Sequence, residues 1–295
     1  MRAEDMATMQ SSPPLTAFVL AGGGSLGAVE VGMLQALVEA EIVPDLVVGA
    51  SVGAINGIHF AAAPDAGGVA ALADIWYRIG HGDVFPVSVT RSLRALLGRG
   101  TSLVSPKGLR NLLRSHLPCD AIEHTAVPVH VVASDFISGE EVVLSRGPAV
   151  EAILASSAIP AIFPPVKWGD TYLVDGGIAN NTPVTVAVRL GARRVIVLPT
   201  GFSCHADPTP RNAIGVALHS LNLLISRQLV SDLERLQRDV ELHVIPPLCP
   251  VSRSAHDFLG TDELIELAAK STRSWLEQGG LGNDGIPGEL RPHSH

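Results

Sequence analysis

Cysteine, aromatic residues and charge are all scarce in this sequence, and each scarcity closes off a class of protein. The three cysteines, Cys119, Cys204 and Cys249, are odd in number and widely spaced, and no C-x-x-C occurs. They offer no disulfide framework and no zinc-ribbon or dithiol redox motif, and read as buried thiols in a reducing compartment. There is no H-E-x-x-H or H-x-x-x-H pair, so the common helical metal site is missing and no metal is expected. Charged residues are 17% of the chain and the net charge is −8, which argues against a nucleic-acid partner. Long apolar runs are also lacking. The longest plausible membrane candidate, Leu46 to Ala63, is uncharged but contains three glycines, Asn56 and His59, so no transmembrane segment is expected. The first 14 residues carry Arg2, Glu4 and Asp5 around no apolar core and read as a disordered tail, not a signal peptide. A cytoplasmic location follows as the expectation, with membrane contact only from the surface.

What remains is apolar and rich in small residues: 46% hydrophobic, with 29 glycines and 21 prolines in 295 residues. Short apolar runs alternate with helical patterns from Thr16 to about Trp275. That alternation predicts an α/β domain over residues 15–278 with a mainly parallel sheet. Two hairpins are expected, turning at Ser138-Gly139 and Gly169-Asp170. A long helix from about Asn212 to Asp239 carries an apolar stripe of Ile214, Leu218, Leu221, Ile225, Leu229, Leu233 and Leu236. The Gly/Pro-rich stretch 279–295 reads as a second disordered tail.

The chain is organised around Leu46-Val47-Val48-Gly49-Ala50-Ser51-Val52-Gly53. An apolar run breaks at Gly49, turns through Ser51 and resumes as a small-residue helix. This is G-x-S-x-G, the pattern of a nucleophile elbow. The turn is so sharp that side chains at Gly49 and Gly53 would collide with neighbouring backbone. A serine lifted there sits beside a helix N-terminus, where backbone N–H groups can stabilise an oxyanion.

A second glycine cluster, Gly22-Gly23-Gly24-Ser25-Leu26-Gly27, follows the first strand and opens a helix. Gly22, Gly24 and Gly27 satisfy the dinucleotide pattern G-x-G-x-x-G. The acid that should end the second strand and hold a ribose is absent, since that strand ends in the elbow and Asp45 precedes it. The competing reading is an oxyanion loop, with the backbone of Gly22, Gly23, Gly24 and Ser25 turned toward a developing negative charge. A third cluster, Asp175-Gly176-Gly177, ends a hairpin strand. It offers a carboxylate base flanked by glycines that permit close backbone approach.

Together these stretches resemble the patatin-like phospholipase family in its bacterial, single-domain form. The matching residues are Gly22-Gly23-Gly24-x-x-Gly27, Gly49-x-Ser51-x-Gly53 and Asp175-Gly176-Gly177, in the family's order. Ala155-Ser156-Ser157-Ala158-Ile159-Pro160, Phe163-Pro164-Pro165 and Asn180-Asn181-x-Pro183 also match, within a motif core of about residues 16–200. The resemblance implies a three-layer α/β/α fold and a lipid acyl hydrolase, a phospholipase or esterase, with Ser51 as nucleophile and Asp175 as base. The loop Gly22–Ser25 would be the oxyanion hole, and neither metal nor cofactor is needed. The family usually has Arg or Lys before the last glycine of that loop; this chain has Leu26. Two alternatives are a non-catalytic lipid-binding or regulatory module on the same fold and a dinucleotide-binding protein using Gly22–Gly27. A Ser–Asp–His triad would have to recruit His205, His219, His243 or His256, which all follow Asp175. His59 stands two helical turns from Ser51 and is expected to point elsewhere.

One segment is charged on one side only. Between Asp83 and Asp120 there are six cations, Arg91, Arg94, Arg99, Lys107, Arg110 and Arg114, and no acid. Leu109, Leu112, Leu113 and Leu117 lie at helical spacing among them. Residues 84–117 are expected to cap the site and to touch an anionic membrane surface. The simpler alternative is that these leucines pack on the core.

Overall fold

A computed structural model describes residues 15–85, 102–201, 213–249, 257–282 and 285–291. The tail expected over residues 1–14 lies outside them. The strands are β1 (Thr16–Leu20), β2 (Leu46–Ala50), β3 (Val129–Asp135), β4 (Glu141–Leu144), β5 (Val166–Trp168), β6 (Thr171–Asp175), β7 (Arg194–Leu198) and β8 (Glu241–Val244). They form one sheet in the order β5-β6-β3-β2-β1-β7-β8, with β4 paired to β3 off that path. The pairs β1–β2, β1–β7, β2–β3 and β7–β8 are parallel; β3–β4, β3–β6 and β5–β6 are antiparallel.

Alternation along the central strands separates two cores. Phe18, Leu20 and Val47 point into one face, under α1 (Ala28–Glu39), α2 (Val52–Ala62), α3 (Ala66–Arg78), α6 (Ala149–Ser156) and α10 (Thr261–Glu277). Ala17, Val19, Val48 and Ala50 point into the other, under α8 (Val184–Arg189) and α9 (Ala213–Leu236). Of the remaining helices, α4 (His81–Val84) and α5 (Lys107–His116) pack together, and α7 (Gly177–Asn180) packs on β3. The architecture is therefore the three-layer α/β/α arrangement expected. On α9, Ile225, Leu229, Leu233 and Leu236 of the expected stripe are buried.

The arrangement of β3 decides where the site forms. Its residues Val129–Val132 pair with β2, the last pair being Ala50↔Val132. Its next residue, Ala133, pairs with Asp175 at the end of β6. Strand β4 runs along the same part of β3 and takes its opposite edge, so β2 and β6 meet that strand on one edge, end to end. The residue after Ala50 is Ser51. Antiparallel pairing thus sets Asp175 directly beyond the point where the parallel strand β2 turns away.

Two expectations need correction. The stretch 279–295 is not featureless in its described part. Gly280–Gly282 and Gly288–Leu290 form short 3-10 turns, and Leu290 is buried against the second core. An isolated apolar residue has no periodicity to announce it, so composition alone hid this contact. Cys249 is disulfide-bonded, not a free thiol, whereas Cys119 is free.

Candidate active site

Ser51 sits between β2 and α2 with φ 53° and ψ −123°, in the left-handed half of conformational space that a side chain ordinarily avoids. The two elbow glycines make this possible. A Cβ on Gly49 would run into the carbonyl of Gly53, and one on Gly53 into the carbonyl of Leu20. The elbow is therefore a three-way backbone contact between β1, β2 and α2 that no larger residue could enter.

The Ser51 hydroxyl donates to Asp175 Oδ2 at 2.8 Å, and both residues are buried. The Gly177 amide donates to Asp175 Oδ1 at 2.7 Å, so the Asp-Gly-Gly turn orients the carboxylate with its own backbone. At Gly176 a Cβ would strike the carbonyl of Val132. Burial pushes the Asp175 carboxyl up to about 6, against the pull of the Gly177 and Ser51 hydrogen bonds. This is the shift a carboxylate needs to serve as base near neutral pH.

The glycine loop lies across the elbow, but its four residues are not equivalent. Gly22 is held on both sides: its amide donates to the Asn181 carbonyl at 3.0 Å, and its carbonyl accepts from Asn181 Nδ2 at 3.0 Å and Thr200 Oγ1 at 2.8 Å. Its amide is thus already spent and cannot serve an oxyanion. The amides of Gly23 and Gly24 have no partner among the described residues, and Gly24 lines the same cavity as Ser51. Ser25 is wholly buried in the following 3-10 turn, Gly24–Gly27. Of the loop Gly22–Ser25, Gly23 and Gly24 thus keep amides without a partner among the described residues, and Gly22 anchors the loop. Gly27 packs against Val52 and Asn56.

Several residues that the sequence reading left without a role hold these parts together. Ser156, at the end of α6, accepts from the Ser51 amide at 2.8 Å and donates to the Val132 carbonyl at 2.5 Å. Its own carbonyl accepts from Gly176 N at 3.1 Å, and that of Ala158 accepts from Asp175 N at 3.0 Å. Asn56 of α2 donates to the Gly27 carbonyl at 2.9 Å and to Glu30 Oε2 at 2.7 Å, and accepts from Trp76 Nε1 at 3.0 Å. Glu30 is fully buried, and burial holds its carboxyl well above the usual range. These links tie the glycine loop to the elbow helix. They join residues far apart in sequence, where no local pattern could signal them.

An apolar cavity opens from Ser51. It is lined by α2, α3 and α5 and roofed by an aromatic group in which Phe85 stacks on Phe163 at 5.6 Å and Trp76 on Phe258 at 6.3 Å. His59 also lines this cavity, against the expectation that it points elsewhere: Ser51, Ile55 and His59 follow one face of α2 at four-residue spacing. The Ser51 hydroxyl nevertheless bonds to the aspartate. His219 is exposed on α9. His243 lies on β8, three strands from β2, with Nε2 against Glu241 Oε1 at 2.8 Å. His205 and His256 lie outside the described residues.

The family model for patatin-like phospholipases matches residues 18–188, from β1 through most of α8. The chain belongs to the patatin-like phospholipase family. It is 34% identical over 193 residues to an uncharacterised NTE family protein of Mycobacterium tuberculosis (strain CDC 1551 / Oshkosh), covering 62% of this chain and 31% of that protein. To the rat patatin-like phospholipase domain-containing protein 7 it is 30% identical over 196 residues, 65% of this chain and 14% of that one. The chain thus spans a third or less of the length of these relatives. Among solved structures, human GIVD cytosolic phospholipase A2 in complex with methyl gamma-linolenyl fluorophosphonate superposes with a TM-score of 0.50 at 14% identity, over 92% of this chain and 59% of that one. That likeness is one of fold.

Two features of this patatin-like chain depart from what its sequence led us to expect or from the family pattern. Leu26, where the family usually carries a cation, is buried in the core under α1. In the segment 84–117, Arg91, Arg94 and Arg99 lie outside the described residues. Leu109 and Leu113 are buried, and with Leu112 and Leu117 they line the cavity instead of facing outward. Arg110 is paired with Glu151, which leaves Lys107 and Arg114 exposed. Leu109 and Leu113 belong to the core under the sheet, with Leu112 and Leu117 packed against it, so the simpler alternative of leucines packing on the core holds for the described part of the segment. Among the described residues no helix is long and apolar enough to cross a membrane.

Proposed function

We propose that this patatin-like protein is a serine lipid acyl hydrolase in which Ser51 and Asp175 act as a dyad. The observation that carries the reading is a serine hydroxyl 2.8 Å from a buried carboxylate at the head of an apolar cavity. Ser51 Oγ attacks the ester carbonyl carbon while its proton passes to Asp175 Oδ2. The resulting oxyanion takes hydrogen bonds from the amides of Gly23 and Gly24. The tetrahedral intermediate collapses, the alcohol leaves with the proton held by Asp175, and an acyl-Ser51 ester remains. Water then gives a proton to Asp175 and attacks the acyl carbon. Collapse releases the carboxylic acid and returns the proton to Ser51.

A fluorophosphonate probe tests this directly. Covalent labelling of the wild type, lost in Ser51→Ala, together with hydrolysis of phospholipid or short-chain esters, supports the dyad. Absence of both in folded protein would favour a non-catalytic lipid-binding module on this fold. Contact with an anionic membrane through residues 84–117 belongs to the same proposal, and rests on Lys107 and Arg114. Co-sedimentation with phosphatidylserine vesicles that weakens with salt supports it, and equal partitioning onto neutral vesicles would remove it.

A further inference from the structure

Among the described residues, the cavity beside Ser51 is bounded along α2 by His59. Its volume is about 80 Å³, room for roughly six water-sized groups, and a methylene is of that size. From Ser51 to His59 along α2 is about 12 Å, the span of an extended chain of roughly ten carbons. Beyond that point His59, Ile75 and His116 line a second, outward-facing cavity together with Asp74, Arg78 and Ser115. The same three side chains therefore line both cavities and stand where the two meet.

Two of these side chains are held in place. The His59 ring is buried against the backbone of His116, whose Nδ1 lies 2.9 Å from the Leu112 carbonyl. Burial, reinforced by the neighbouring His116, lowers the His59 pKa to about 4, so at neutral pH the ring is uncharged and compatible with an apolar lining. Polar side chains at the end of an otherwise apolar slot mark where burial of further methylenes stops gaining free energy.

We infer that His59 and His116 are the floor of an acyl-chain pocket and restrict the substrate to medium-chain esters, with acyl groups of about six to ten carbons. This inference rests on the acyl hydrolase reading above. Each methylene that finds apolar wall favours the transition state about fourfold. Activity should therefore rise along the series to the pocket's length and fall once the chain meets the floor.

The test is a chain-length series of p-nitrophenyl esters, from butanoyl to hexadecanoyl, on wild type, His116→Ala and Ile55→Phe. For the wild type, kcat/KM should peak between hexanoyl and decanoyl and be at least about tenfold lower for hexadecanoyl. His116 is exposed, so its truncation is compatible with folding. It joins the pocket to the outer cavity of about 370 Å³ and should raise the hexadecanoyl-to-octanoyl ratio about tenfold. Ile55→Phe narrows the slot one turn from Ser51 and should move the optimum to shorter chains. A wild-type preference for hexadecanoyl, or an unmoved ratio in folded His116→Ala, overturns the inference. A second arm does not require catalysis: binding of free fatty acids, hexanoic to hexadecanoic, to Ser51→Ala. If the wild type cleaves no ester, the hydrolase reading fails and this arm alone decides. Tightest binding at medium length, extended by adding His116→Ala, supports the floor; no binding, or no length dependence, overturns it.

Discussion

Ser51 and Asp175 arrive at the same point by opposite routes. Ser51 is delivered locally, by a strand, a strained turn and a helix in one continuous stretch, Leu46 to Ala62, and its position depends on two glycines. Asp175 comes from 124 residues away and is delivered by antiparallel pairing with β3, which sets Ala133 opposite Asp175 one step after Val132 pairs with Ala50. The serine's conformation is thus intrinsic to its motif, while the aspartate's position is a property of the sheet. Mutations should separate the two.

The largest effect falls on the pair itself. Ser51→Ala and Asp175→Asn should each lower kcat/KM by about four orders of magnitude or more, and the double variant should be no worse than either single change. Additive losses would show that the two side chains do not work as a unit. Replacing any one of His59, His205, His219, His243 or His256 with Gln should retain most activity toward short-chain esters. A comparable loss in one of these, with normal melting, would mean a triad.

Next in size is Ser156, which touches both routes. Its hydroxyl holds the Ser51 amide, whereas its backbone holds Gly176. Ser156→Ala should therefore disturb the serine alone, lowering kcat about ten- to hundredfold. The acid limb of its pH profile should stay where it is in the wild type. A shifted limb would show that the side chain also supports the aspartate.

That limb is the third prediction. The base must be deprotonated, so kcat/KM should rise with pH and level off above about 6, where burial places the Asp175 carboxyl. The same shift has a consequence for stability. The folded-state pKa lies above the unfolded value of about 3.9, so the contribution is fully present below about pH 4 and lost as pH rises through 6. Asp175→Asn should thus be more stable than wild type at pH 7, by roughly 1–3 kcal/mol, and lose that advantage in acid. An unchanged difference across this range would show that burial does not set the basicity. Smaller still is Leu26→Arg. With Leu26 in the core, the change should lower stability by about 1–3 kcal/mol and leave the dyad's acid limb in place. A gain in turnover without loss of stability would show that the position can accept the family's cation.

The same division explains what could be read from the sequence. The elbow and the two hairpins follow local patterning, and the hairpins turn where expected, between β3 and β4 and between β5 and β6. The three motif clusters could be named because each is contiguous. The sheet order, the anchoring of Gly22 by Asn181 and Thr200, and the bridging role of Ser156 depend on contacts between distant residues. The short helix α7 was hidden because Gly176 and Gly177 read as a turn, although the Asn180 amide closes a helical bond on Gly176. His59 was assigned to the wrong side because distance along a helix was weighed without its four-residue repeat. The leucines of α5 were correctly spaced, but periodicity cannot tell a face that meets a membrane from one that meets a cavity.

The end-to-end meeting of β2 and β6 on one edge of β3 also dictates when the site can exist. Ser51 joins Asp175 across 124 residues, Asn181 reaches Gly22 across 159 and Thr200 across 178. Closing such long loops is slow compared with forming helices. On the proposed dyad, Ser51 is therefore shaped early and joined to Asp175 last. A partly folded chain, with its apolar interior open to lipid, would carry a serine with no base. In refolding experiments, recovery of fluorophosphonate labelling should lag behind recovery of the helical signal.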